Sequence, residues 1–300
     1  MTRSPVVRPA SIVDAMKAIA GASPKARASF ASGRCVRGTY IPSDRADEVT
    51  KSRSFTRPSR VLARFSVDGA PRGPEANLML RGFSFRLGDA EHCSDILTQS
   101  APVHYARTLD QTLAYLAARM PAPDGRPHPE KLKAFSTANP ESSHQARYVA
   151  AHPLPASFAD TTYWAVHAFP ATNRSDETQF IKFKVVPVGN QAAPTEDAKT
   201  KPGDFLHDDL ESRIAARDIR FSLMAVLGRP GDPILDVTIR WPDEDRRDTV
   251  RLGTIVITAI EARDAYVFDP AALAEGIGYP PDEIFAVRRA AYQISRARRR

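Results

Sequence analysis

Residues 279–299 read YPPDEIFAVRRAAYQISRARR, and the reading of this stretch decides the fold. Pro281 suits a first helical turn, and Asp282 and Glu283 suit the positive end of a helix. The pattern predicts a helix from 281 to about Arg296. Arg288 and Tyr292 stand at i and i+4, so they share a face and can touch. A free tyrosine titrates near pH ~10 and is neutral at pH 7. A guanidinium against the phenolic oxygen favours the phenolate. That hard anionic oxygen suits ferric iron and is one of the axial ligands that proteins give to haem. By spacing alone, the commoner meaning of R-x-x-x-Y is a tyrosine packed on the core with its arginines in solvent.

Working outward, the basic ending does not make the chain a nucleic-acid binder. Net charge is +7, and four of those charges are Arg296, Arg298, Arg299 and Arg300, which leaves +3 for the rest. A body so mildly basic lacks the electrostatic footprint of a DNA- or RNA-binding protein. With 42% hydrophobic and 26% charged residues, 300 residues read as a globular chain with a sizeable core. No run approaches a membrane span of about 20 apolar residues, and residues 1–21 hold no signal-like apolar run. Cys35 and Cys93 have no metal or redox spacing, so reduced thiols in the cytoplasm are expected.

Strand-like stretches dominate the middle: 61–67, 78–87, 161–169, 179–188, 219–227, 234–240 and 249–258. Within LMLRGFSFRL, Phe83, Phe85 and Leu87 alternate with Ser84 and Arg86. Helical patterns cover 11–20, 109–120, 204–217 and the stretch from 281. Residues 121–129 and 189–204 read as loops. The class is α+β: an antiparallel sheet or barrel with helices between and after its strands, in one domain over 1–300.

VRRAAYQISRARR, preceded by YPPDEIFA, resembles the C-terminal haem-binding segment of the catalase superfamily, and more narrowly of the minimal catalase-related peroxidases. The resemblance recurs in order along the chain. FASGRCVRGTYIP (30–42) is similar to the family's H-A-K-G…G-x-F-x-P region. LARFSVDG (62–69) is similar to its R-F-S…G strand, and RGFSF (81–85) to its R-G element. PASFADTTYWAVHAF (155–169), DFLHDDLESRIA (204–215) and GRPGDPILDVTIRWPDEDRRDTVRLGTIVI (228–257) follow in the family's order. The resemblance implies a catalase-like antiparallel β-barrel with flanking helices and a C-terminal haem-binding helix.

It also implies roles. Tyr292 would be the proximal ligand of a ferric haem b, and Arg288 its charge partner. Arg27, Arg64 and Arg299 fall where the family places arginines near the haem. Arg27 and Arg64 would pair with the propionates, a geometry that suits guanidinium forks. Ser66 keeps the family's distal serine. The distal histidine, however, is replaced by Phe30, and the following lysine by Ser32. That histidine moves a proton between the two peroxide oxygens, and phenylalanine cannot. Gln99 stands at the distal asparagine, while His104 and Tyr105 stand at two family phenylalanines. The histidine nearest Phe30 in sequence is His92.

Two readings of the distal side follow. In one, His104 or Tyr105 supplies the acid–base function. In the other, the pocket serves a different substrate, and hydrogen peroxide dismutation is weak or absent. The expected function is a haem-dependent oxidoreductase acting on an organic hydroperoxide or a peroxide-activated organic substrate. The alternatives are a haem-dependent hydroperoxide lyase or isomerase and a non-catalytic haem-binding protein. Small-molecule partners, no nucleic acid, no membrane span and a homo-oligomer complete the expectation. Glu91-His92-Cys93 reads as a turn, and no phosphate loop is present.

Overall fold

The computed structural model describes residues 9–21, 25–68, 79–152, 155–189, 205–262 and 266–299. Its centre is a set of antiparallel strands: β1 (Ser32–Pro42), β2 (Ser59–Val67), β3 (Arg81–Leu87), β4 (Ser94–Gln99), β5 (Tyr163–Trp164), β6 (Phe169–Thr172), β7 (Thr178–Pro187), β8 (Ile219–Leu227) and β9 (Thr249–Glu261). They run in the order β5-β4-β3-β2-β1-β9-β8-β7-β6, and β5 also pairs with β7. Tyr163 and Trp164 thereby join β4 to β7 and close eight strands into a barrel. Closure pairs the strand edges that an open sheet would leave bare.

Alternation decides what fills the barrel. Val61, Ala63, Phe65 and Val67 of β2, Phe83, Phe85 and Leu87 of β3, and Ile181, Phe183 and Val185 of β7 point into one buried cluster. At its middle the rings of Phe65 and Phe83 stack with centroids 4.4 Å apart. The residues between them point outward. β1 and β9 approach so closely at Gly38 that a Cβ there would lie 1.8 Å from the Val256 carbonyl oxygen.

Helices cover the barrel: α1 (Pro9–Ile19), α2 (Arg53–Thr56), α3 (Leu109–Arg119), α4 (Pro129–Ala138), α5 (His144–Ala151), α6 (Phe205–Ala216) and α7 (Glu283–Ala297). Leu206 and Leu210 of α6 and Phe285 of α7 join the barrel cluster, and the partly buried Ile214 packs against it. α1, α3 and α7 pack on one another. No described helix is long and apolar enough to cross a membrane.

Four of the sequence-predicted helices and most of the strands stand. Residues 234–240 do not form the expected strand. There the Asp236 carboxylate accepts the Thr238 backbone N–H at 2.9 Å, a local turn that competes with a ladder. The expected strand 161–169 is reduced to β5 and the first residue of β6. β1, β4, α4 and α5 escaped the sequence patterns. Of the expected loop 189–204, all but Gly189 lies outside the described residues.

Candidate functional site

The outward residues of β1 to β4 form a floor in which glycines, serines and a cysteine stand beside Arg64, Leu97 and Gln99. Register aligns Gly33 with Ser66, Ser66 with Gly82, and Gly82 with Gln99 across four strands. Beside this row stand Cys35, Arg64, Ser84 and Leu97, also in register. The glycines are required by space: a Cβ on Gly33 would lie 2.4 Å from the Phe65 carbonyl oxygen, and one on Gly82 2.7 Å from Ser66 Oγ.

Phe30 sits at one end of this row. Its ring would be 3.0 Å from a Cβ on Gly82, so it lies directly against the floor. Its backbone is left-handed, with φ of 49°, which costs an aromatic residue about 1–2 kcal/mol. Arg64 holds that conformation by donating to the carbonyls of Phe30 at 2.8 Å and Ala31 at 2.9 Å. Ser66 Oγ has only a long contact of 3.5 Å, to the Gly82 carbonyl. The Gln99 amide donates to the Val103 and Ala101 carbonyls at 2.9 and 3.3 Å. Phe30, Ser66 and Gln99 are thus brought together.

His104 is not in that row. Its backbone N–H donates to the Val237 carbonyl, and Ala106 beside it packs with Val166, Val237 and Ile284, the last of these in the first turn of α7. His104 Nδ1 meets the Ala106 carbonyl at 2.9 Å, and its ring lies 4.1 Å from that of Tyr105. Burial pushes its pKa down to about 3, and the charges of Arg288 and His167 push the same way, against the Ala106 bond and Asp282. It is therefore a neutral imidazole at ordinary pH.

A second histidine meets the start of β1. His207 Nε2 of α6 lies 3.1 Å from Ser32 Oγ. But Ser32 pairs with Val67 of the core, so this contact is on the inner side of β1, across the strand from the floor.

On α7, Asp282 caps the helix by accepting the Phe285 N–H at 2.9 Å. Its other oxygen meets His167 Nδ1 at 2.9 Å, and Arg288 Nη1 meets His167 Nε2 at 2.8 Å. Arginine can only donate, so Nε2 accepts and Nδ1 carries the hydrogen given to Asp282. His167 is thereby fixed as a neutral tautomer. Burial lowers its pKa in the same sense. Burial alone would raise the Asp282 carboxyl, but the His167 bond, the Phe285 N–H and the Arg288 charge hold it below its ordinary value. The Arg288 guanidinium, anchored this way, lies 5.9 Å from the centre of the Tyr292 ring.

The remaining arginines use backbone partners. Arg27 donates to the Tyr266 carbonyl at 2.9 Å, and Arg299 to the Ser295 carbonyl at 3.2 Å. Arg298 instead pairs with Asp14 of α1. His167 gave no sequence signal, because it lies 121 residues from its arginine. Asp282 was visible as a helix-start acid but not as its partner. A separate pocket of about 390 Å³, lined by Val103, His144, Arg147, Tyr148 and Thr238 to Arg240, contains none of the sequence-predicted residues.

The packing of α7 shows where a further group fits. Ile284 and Phe285 are buried, but Arg288, Ala291, Tyr292 and Ser295, which continue that face at i+3/i+4 steps, are only half-buried. Phe30, Gln99, His104 and Tyr105 are half-buried too. A floor in which Gly33 and Gly82 leave no room for a Cβ, and a tyrosine near an anchored arginine, suit a planar, iron-bearing prosthetic group.

The fold and these residues define an antiparallel eight-stranded barrel with flanking helices of the kind found in haem proteins. The family model described as Catalase matches residues 10–300, and the chain belongs to the catalase family. Membership implies a haem cofactor. The chain is 29% identical to the catalase-related peroxidase of Synechococcus elongatus, over 98% of this chain and 89% of that protein. It is 28% identical to the catalase-related peroxidase of Mycolicibacterium paratuberculosis, over 96% and 93%. A solved bacterial catalase superposes with a TM-score of 0.78 at 19% identity, over 91% of this chain and 57% of that one.

Proposed function

We propose that this chain is a haem-dependent peroxidase-type oxidoreductase that acts on an organic hydroperoxide or a peroxide-activated organic substrate and is a poor catalase. Its kinship with catalase-related peroxidases supports peroxide chemistry. The observation that carries the finer reading is the Phe30 ring lying against Gly82, next to which Ser66 also stands, where the resemblance expects a proton carrier.

When bound, the haem supplies an iron centre that takes up peroxide and oxidising equivalents. Tyr292 would hold it as a phenolate, and Arg288 would stabilise that charge from its anchor on His167 and Asp282. Arg27, Arg64 and Arg299 would serve its carboxylates. Ser66 and Gln99 offer the polar atoms beside Phe30, and the ring itself excludes water and favours an apolar substituent on the peroxide. His104 stays neutral, so it acts only as a hydrogen-bonding or proton-accepting imidazole. We place the activity in the cytoplasm, the reducing compartment expected from two cysteines with no metal or redox spacing.

The test is haem reconstitution followed by reaction with a lipid hydroperoxide and with hydrogen peroxide. Reductant-dependent consumption of the lipid hydroperoxide, with little oxygen release from hydrogen peroxide, is expected. Full catalase rates would overturn the substrate reading. Consumption without any reductant would move the assignment to a lyase or isomerase.

A further inference from the structure

Tyr105 and Tyr115 stack with ring centroids 4.0 Å apart and planes 24° from parallel. Tyr105 in turn lies on His104, at 4.1 Å. Outward, the Arg119 guanidinium sits 3.4 Å from the centre of the Tyr115 ring, and Phe135 of α4 meets that ring edge-on at 5.7 Å. The stack runs from the first turn of α7, where Tyr105 packs beside Ile284, to the covering layer of α3 and α4. The tyrosine at 105 stands at a position where the family resemblance expects phenylalanine. The packing role of a phenylalanine needs no hydroxyl, and it is the hydroxyl that makes the ring oxidisable.

We propose that Tyr105 and Tyr115 form a one-electron relay between the haem site and an outer oxidation site at Tyr115, Arg119 and Phe135, used by bulky phenolic or anilinic donors. The relay rests on the peroxidase reading above. Each peroxide requires two electrons and two protons: ROOH + 2 AH → ROH + H₂O + 2 A•. In each half, Tyr115 loses one electron inward through Tyr105 and loses its phenolic proton, giving a neutral phenoxyl radical. The proton leaves to solvent on the outer side of the half-buried Tyr115 ring. The donor AH then returns a hydrogen atom, and the phenol is restored. The proton count is met by uptake of two protons at the peroxide, whose O–O bond breaks. Burial keeps both phenols protonated at rest, so oxidation has to be coupled to proton loss. The cation over Tyr115 favours that loss.

The experiment uses the haem-loaded full chain, a lipid hydroperoxide, freeze-quenched electron paramagnetic resonance and optical absorbance. The wild type is expected to show a tyrosyl radical that Tyr105→Phe with Tyr115→Phe removes. Tyr115→Phe alone is expected to lose oxidation of a bulky phenol while retaining reaction with a small donor. A haem absorbance change with the same radical in wild type and double variant overturns the relay and leaves the peroxidase reading standing. No absorbance change with peroxide overturns both. Tyr115→Phe removes one hydroxyl from a half-buried ring, so it also serves if the double variant folds poorly.

Discussion

The α7 end of the site is a closed chain of polar groups, whereas the β1 end is an aromatic ring held by its own backbone. At the first, Asp282, His167 and Arg288 come from segments more than 100 residues apart and leave no choice of tautomer. At the second, Arg64 spends two N–H groups on carbonyls to keep Phe30 in a left-handed backbone. Buried charge must be partnered or it destabilises the fold. That necessity makes the α7 end intolerant of change. The β1 end carries no such constraint, because an apolar ring needs only space. Residue 30 therefore has room to vary.

The largest expected effect breaks the α7 end. Tyr292→Phe removes the only phenol beside Arg288 on that helix and should abolish stoichiometric haem binding. The measurement is haem content after reconstitution, with circular dichroism to verify folding. Full haem loading of the variant would remove Tyr292 as the ligand.

The next effect sharpens the β1 end. Phe30→His restores a proton carrier against Ser66 and Gly82. Histidine also tolerates positive φ better than phenylalanine, so the fold should not suffer. A positioned acid–base group contributes about 10²- to 10⁴-fold, so the rate of haem absorbance change with hydrogen peroxide should rise by up to that factor. An unchanged rate would mean that residue 30 does not face the reacting oxygens.

Asp282→Asn tests why the α7 end is rigid. The amide can keep the helix cap, but its NH₂ then confronts the His167 Nδ1–H, and moving the imidazole proton to Nε2 confronts Arg288 instead. One buried donor is stranded in either arrangement, at a cost of about 2–4 kcal/mol. Denaturant unfolding of the variant checks this. A loss well under 1 kcal/mol would show that the chain Asp282–His167–Arg288 does not stabilise the fold.

Much of this contrast was legible in the sequence, for uneven reasons. The helix 283–297 announces itself through Asp282, Glu283 and the i, i+4 pair Arg288 and Tyr292. Several barrel strands show in alternations such as Phe83, Phe85 and Leu87. The phenylalanine at residue 30, where the family resemblance expects a histidine, is a one-residue observation that needs only the order of motifs. What stayed hidden depends on pairing across the chain. His167 has no local pattern that marks it, and β5 is two residues long yet closes the barrel. The stretch 234–240 has strand-like composition, but the Asp236 side chain captures its backbone. The surroundings of His104, beside Val237 and the first turn of α7, leave no mark in its neighbouring sequence.

His104 gives the smallest expected effect, and it separates the two ends by pH. Its folded pKa is about 3, against an ordinary value near 6.5. The unfolded chain therefore takes up a proton below about pH 6.5 that the folded chain refuses until about pH 3. Stability on this account is full above pH 6.5 and falls as the pH drops through that window. His167, whose pKa is also lowered, contributes in the same direction. Replacing His104 with phenylalanine should leave stability at pH 7 within about 1.5 kcal/mol, since the ring volume is close. At pH 4.5 the variant should retain about 1–3 kcal/mol that the wild type loses. Urea unfolding of both proteins at the two pH values measures the difference. Parallel losses would show that His104 is hydrated enough to titrate normally, and would reopen it as an acid as well as a base. A shallower fall in the variant, the part left to His167, beside a steeper one in the wild type would fix His104 as a neutral wall of the site.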